Sequence, residues 1–116
     1  MKSSGVHHVS LNVDDLEAAI GFYVDALGCT VRSDRPDLGF AGAWLDIGEA
    51  QIHLLTGAVP APAGQHFAIQ VHDLEASREE LRVKGYEVSA ASAIGTGHQA
   101  FLSDPAGNLI ELHQAG

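Results

Sequence analysis

A second cysteine is missing from this sequence: Cys29 stands alone, so no disulfide can close within the chain. Basic residues are scarce too. Six Lys plus Arg against 15 Asp plus Glu leave a formal charge of −9, which excludes a nucleic-acid partner, because phosphates are met by clustered cations. No apolar run approaches the roughly 20 residues needed to cross a bilayer, so no membrane partner is expected. The opening MKSSGVHHVSLNV has no basic start, unbroken apolar stretch or small-residue cleavage site of a secretory leader. Together with the lone cysteine, this leads to the expectation of a cytoplasmic protein.

What the chain does have is one ordinary core and an excess of imidazole. With 46% hydrophobic residues in 116, the length suits a single domain over residues 1–116 rather than two independent ones. Seven histidines outnumber the Lys and Arg together, which points towards metal or proton chemistry and a small-molecule substrate.

The organisation comes from an internal repeat. HVSLNVDDLEA (His8 to Ala18) aligns with HFAIQVHDLEA (His66 to Ala76) at an offset of 58, with six of eleven positions identical. DIGEAQIHL (Asp46 to Leu54) aligns with DPAGNLIEL (Asp104 to Leu112) at the same offset, and LGCTV ending at Val31 echoes KGYEV ending at Val88 with a slip of one. Each copy opens with period-two alternation, a strand signal. A helix follows. In the first copy Asp14 is the expected N-cap, Glu17 completes a capping box, Leu16, Ile20, Tyr23 and Leu27 form the apolar stripe, and Gly28 is the stop. In the second, Asp73 caps, Leu74, Ser77 and Leu81 share a face, and Gly85 ends the helix. Three more strands complete each copy, near 30–33, 43–47 and 51–55, then near 87–90, 99–103 and 108–113. Turn residues Gly48-Glu49 and Pro105 to Asn108 separate the last two strands of each copy.

The expected fold is therefore α+β: two tandem βαβββ units forming a funnel-shaped mixed sheet with helices on the outer face. Unit one covers 5–56, the Pro/Gly/Ala-rich linker 57–64, and unit two 65–114. A lone unit would bury only one face of its sheet, so the units should pair within a chain or swap between chains in a homodimer.

Strand parity then selects the residues that carry chemistry. If Val9, Leu11 and Val13 go under the helix, then His8, Ser10 and Asn12 lie on the opposite face. By the same rule Ile52 and Leu54 leave Gln51 and His53 there, Phe67, Ile69 and Val71 leave His66, and Ile110 and Leu112 leave Glu111 and His113. At offset 58 His8 maps onto His66 and His53 onto Glu111, so candidate ligands map onto candidate ligands. Two symmetry-related pairs of imidazole and carboxylate suit one divalent ion, Zn, Ni, Fe, Co or Mn, with a position left open for substrate. The expected metal set is His8, His53, His66 and Glu111. Ser10, Asn12, Gln51, Phe101 and His113 are expected to line the substrate pocket. His7, His72 and His98 break parity or sit at turns and are read as surface residues. Trp44, which the offset of 58 places on Leu102, is read as core.

With these positions identified, the chain resembles the vicinal oxygen chelate superfamily of glyoxalases, bleomycin resistance proteins and extradiol dioxygenases. The opening HHVSLNVDDLEAAIGFYVDALG is similar to that family's first strand and helix, and DPAGNLIEL to its closing hairpin. The resemblance implies a metal that chelates adjacent oxygens of a substrate, with His8, His66 and Glu111 at family metal positions. It implies a lyase or isomerase of glyoxalase type, in which Glu111 or His53 moves a proton. A histidine at position 53 also resembles the acid/base residue of ring-cleaving dioxygenases, although Phe101 stands where that group has a tyrosine. A third implied role is binding or sequestration of a drug, as in antibiotic resistance, without turnover.

Overall fold

A computed structural model describes residues Met1–Gly116. The chain consists of two compact units, Met1–Pro60 and Ala61–Gly116, and the boundary falls within the Pro/Gly/Ala-rich connector. Unit one runs β1 (His8–Val13), α1 (Leu16–Asp25), β2 (Thr30–Val31), β3 (Gly42–Ile47) and β4 (Ala50–Thr56). Unit two repeats the order as β5 (His66–Gln70), α2 (Leu74–Val83), β6 (Ser92–Ile94), β7 (Gly97–Ser103) and β8 (Leu109–Gln114). Both sheets are mixed and share one topology, β1-β4-β3-β2 and β5-β8-β7-β6. The first strand of each unit pairs parallel with its last, and the other pairings are antiparallel. A parallel pair needs a long crossover, and the helix and two intervening strands supply it.

The apolar parity is realised in both units. Val13, Ala43, Leu45, Ile52 and Leu54 are buried in unit one, and Ala100, Leu102, Ile110 and Leu112 in unit two. The helix of each unit packs on its own sheet, α1 against β2, β3 and β4, and α2 against β7 and β8. The other face of each sheet is thus left for polar side chains.

Three local expectations are corrected. First, the N-cap of α1 is Asp15, whose Oδ1 accepts from Ala18 N at 3.1 Å. Asp15 lies 58 residues before Asp73, which caps α2 by accepting from Ala76 N at 3.0 Å. Glu17 is then only the second helical residue and forms no capping box. The buried stripe of α1 is correspondingly Ala19, Phe22 and Tyr23, whereas Leu16, Ile20 and Leu27 are half-buried.

Second, residues 87–90 form no regular strand. Ser89 N donates to Phe101 O at 2.8 Å, but Phe101 N donates to the Ser89 hydroxyl at 2.8 Å. A side-chain oxygen thus replaces a ladder carbonyl, and regular pairing begins only at Ser92.

Third, the offset of 58 holds for the last strand of each unit but not for the strand before it. Asp46 pairs with Gln51 and Ser103 with Leu109, so four residues separate the partners in unit one and five in unit two. The single added residue makes Phe101, not Leu102, the counterpart of Trp44. Trp44 therefore lies on the polar face and not in the core, since one residue of slip reverses the face of a strand residue.

Candidate functional site

On the helix-free face of unit one, β1 contributes His8, Ser10 and Asn12, β4 contributes Gln51 and His53, and β3 contributes Trp44 and Asp46. His53 lies opposite Trp44 in one pairing and opposite Ser10 in the other. Adjacent strands carry the rings at a spacing that lets them stack. His8 and His53 are 3.9 Å apart between centroids with planes inclined by 13°, and His53 and Trp44 are 4.7 Å apart at 12°. Three parallel rings thus cross the face from β1 to β3. His53 Nε2 donates to Gln51 Oε1 at 2.8 Å, which leaves Nδ1 with the lone pair. Burial lowers the His53 pKa below its usual value, helped by the positive potential of His8, His7, Arg35 and Arg32.

His7 is exposed, as expected of a residue outside the strands, and its ring also belongs to this cluster. Its ring meets His8 edge-on at 5.2 Å, and the two Nδ1 atoms are 2.9 Å apart in a hydrogen bond. Nothing in strand parity signals this, because His7 precedes the strand. Asn12 uses its amide structurally, donating to Ala58 O at 2.8 Å and so tying the connector to the end of β1. His72 and His98 are exposed.

On the corresponding face of unit two the central group is Glu111, 8% exposed. Its two oxygens accept from two imidazoles: Oε1 from His66 Nε2 at 3.0 Å, and Oε2 from His113 Nδ1 at 2.8 Å. His66 Nδ1 donates to Gly64 O at 2.8 Å, fixing the ring so that Nε2 faces the carboxylate. That backbone bond first, and the Glu111 carboxylate second, raise the His66 pKa above the ordinary imidazole value. Phe101, opposite Glu111 in β7, meets the His66 ring edge-on at 5.4 Å. Six sequence-derived positions are thereby grouped by unit: His8, Gln51 and His53 in one, His66, Glu111 and His113 in the other.

The donor sets bear on metal binding. Neighbouring ligands of a six-coordinate ion, bound at about 2.1 Å, stand about 3.0 Å apart, and His66 Nε2 and Glu111 Oε1 have that separation. An imidazole whose far nitrogen is held by a backbone carbonyl is the usual support of a ligating histidine. The His66–Glu111 pair therefore offers donor types that suit a divalent ion, held here in a hydrogen bond. No group of three or more His, Cys, Asp or Glu side chains is arranged to hold one, so within each unit the candidate donors form pairs.

No helix is long and apolar enough to cross a membrane. Residues 5–112 match the Glyoxalase/Bleomycin resistance protein/Dioxygenase superfamily. The chain is 33% identical to an ethylmalonyl-CoA/methylmalonyl-CoA epimerase of Cereibacter sphaeroides, over 94% of this chain and 96% of the relative. It is 31% identical to a lactoylglutathione lyase of Salmonella typhimurium, over 93% and 90%. Among solved structures it is similar to TnmS3, an antibiotic-binding protein from Streptomyces, with TM-score 0.82, 28% identity and coverage of 100% and 99%. Two βαβββ units of one topology, paired donors at equivalent positions of the two copies, and a match spanning nearly the whole chain lead to one conclusion: the chain belongs to the glyoxalase, bleomycin resistance protein and dioxygenase superfamily.

Proposed function

We propose that this chain is a divalent-metal-dependent enzyme of lyase or isomerase type, acting in the cytoplasm as a homodimer on a small molecule with adjacent oxygens. His8, His53, His66 and Glu111 are the residues assigned to its metal. The observation that carries this reading is the His66–Glu111 pair, with His66 Nδ1 anchored on Gly64 O and Nε2 at 3.0 Å from the carboxylate. When bound, zinc, nickel, iron, cobalt or manganese supplies a Lewis acid that polarises the chelated oxygens and acidifies a neighbouring C–H. Proton movement falls to the chain's own groups. Glu111 is oriented by two imidazoles, and either it or His53, in the form of the site where His53 does not ligate the ion, accepts the proton. Relatives named as a lyase and an epimerase support this chemistry over oxygen-dependent ring cleavage.

Elemental analysis of tag-free protein, wild type beside His66→Ala, tests the reading. The expected result is about one transition metal per chain, lost in the variant, with metal-dependent turnover of a hemithioacetal or of an acyl-CoA epimer. No metal in the wild type, even after incubation with each ion, overturns it. Iron with oxygen uptake on catechols selects the dioxygenase instead.

A second reading, a non-catalytic binding protein, is favoured by the row of rings formed by His8, His53 and Trp44 and by the likeness to an antibiotic-binding protein. Binding of aromatic ligands with no turnover under any metal condition would select it.

A further inference from the structure

With 15 acidic groups available against six basic ones, each cation of this chain could have found a carboxylate. Nearly all the arginines do. Arg32 bridges Asp34 and Asp46, at 2.8 Å to each, Arg78 pairs with Glu75 at 2.9 Å, and Arg82 pairs with Glu79 at 2.6 Å. Arg35 is the exception. Its Nη2 donates to Phe40 O at 3.0 Å and its guanidinium lies over the Phe40 ring, 5.2 Å from the centroid. The two carboxylates that flank it in sequence are turned elsewhere: Asp34 to Arg32, and Asp37 to Gly39 N, from which Oδ1 accepts at 2.9 Å. Arg35 is thus a cation seated by a ring and a carbonyl, neither of which neutralises it.

Its seat is on unit one's sheet. A Cβ added at Gly42 would lie 2.9 Å from Arg35 Nη2 and 3.2 Å from Cζ, and would also collide with Leu54 O. Glycine at this position is what allows the guanidinium to lie against the start of β3. Gly42 and Trp44 are two residues apart in that strand, about one pleat repeat of roughly 7 Å along the backbone, so Arg35 is seated at the end of β3 that leads to the tryptophan. A guanidinium with a planar fork and most of its N–H groups unused is built for a planar oxyanion. In a chain of charge −9, an anionic ligand is repelled over most of the surface and accepted only where such a cation stands.

We propose that Arg35 is an anion-recognition residue, and that the helix-free face of unit one binds small carboxylates through its guanidinium, with the flat body of the ligand against Trp44. The site is confined to one unit and its test needs no turnover, so it stands or falls separately from the metal-dependent reading.

The probes are benzoate and its neutral isostere benzamide, titrated into the full chain. Binding is read from the fluorescence of Trp44, the sole tryptophan, and in the wild type also from the shift of the Arg35 Nε–H resonance on adding benzoate. Benzoate is expected to bind about tenfold more tightly than benzamide. Arg35→Gln should reduce that preference to about twofold or less without changing the melting temperature, and Arg35→Lys should restore part of it. Equal affinities in the wild type, a preference that survives Arg35→Gln, or no binding of either probe would overturn the proposal. A preference abolished by chelator but not by Arg35→Gln would overturn it too, by assigning the carboxylate to a metal.

Discussion

Trp44 stands directly opposite His53 in the β3–β4 pairing, and the two rings stack 4.7 Å apart with nearly parallel planes. Because an imidazolium quenches a stacked indole, the emission of Trp44 should fall as His53 takes up a proton. The midpoint should lie below the ordinary histidine value of about 6.5, since burial is the main cause holding the His53 pKa down. A fluorescence titration of wild type and His53→Gln checks this. A flat curve in the variant supports the stack, whereas a wild-type midpoint at or above the ordinary value counts against it.

The His66–Glu111 pair predicts how stability varies with pH in chelator-treated protein. The His66 pKa is raised in the fold, first by the Gly64 carbonyl and then by Glu111. The stabilisation is therefore complete below about pH 6.5, the unfolded value, and is lost as pH rises through the higher folded-state value. Between about pH 6 and pH 8.5 the melting temperature of the wild type should decline more than that of His66→Gln. Parallel profiles would show that the pair contributes nothing.

Asp104 is 4% exposed and organises the β7–β8 turn alone. Its Oδ1 accepts from Ala106 N at 3.0 Å and Asn108 N at 2.8 Å, and its Oδ2 accepts from Asn108 Nδ2 at 2.9 Å. Asp104→Ala leaves these donors without their acceptor and should destabilise the protein by about 2–3 kcal/mol. The midpoint of urea unfolding measures it, and Asp104→Asn, which keeps one acceptor oxygen, should cost less.

Cys29 is 3% exposed, and burial pushes its thiol up to about 11. Alkylation needs the thiolate, so iodoacetamide should leave native Cys29 unlabelled at about pH 8 and modify it promptly in urea. Mass spectrometry of both samples decides the matter, and prompt labelling of the native protein would contradict the burial.

Much of this was legible without coordinates. The repeat specified two βαβββ units because each copy carries the same strand, helix and turn signals, and parity placed His8, His53, His66 and Glu111 on the faces away from the helices. The same repeat could have located the α1 cap, since Asp15, not Asp14, is 58 residues from Asp73. The reading of Trp44 as core fails for a different reason. Its alignment crossed a turn one residue longer in the second copy, and no hydrophobic pattern inside a turn reports where that residue sits.

By itself, then, the sequence determined the element order, the polar face of the first and last strand in each unit, and the family. These rest on local periodicity and on a repeat that covers almost the whole chain, so they need no knowledge of what packs where. Only the tertiary structure decided that Trp44, His53 and His8 stack in one row, that His7 joins them, that His113 and His66 divide the two oxygens of Glu111, and that Arg35 is left without a carboxylate. Each of these depends on register across strands or on where a loop side chain turns. A single residue of slip or one rotamer changes such contacts while leaving the hydrophobic pattern untouched.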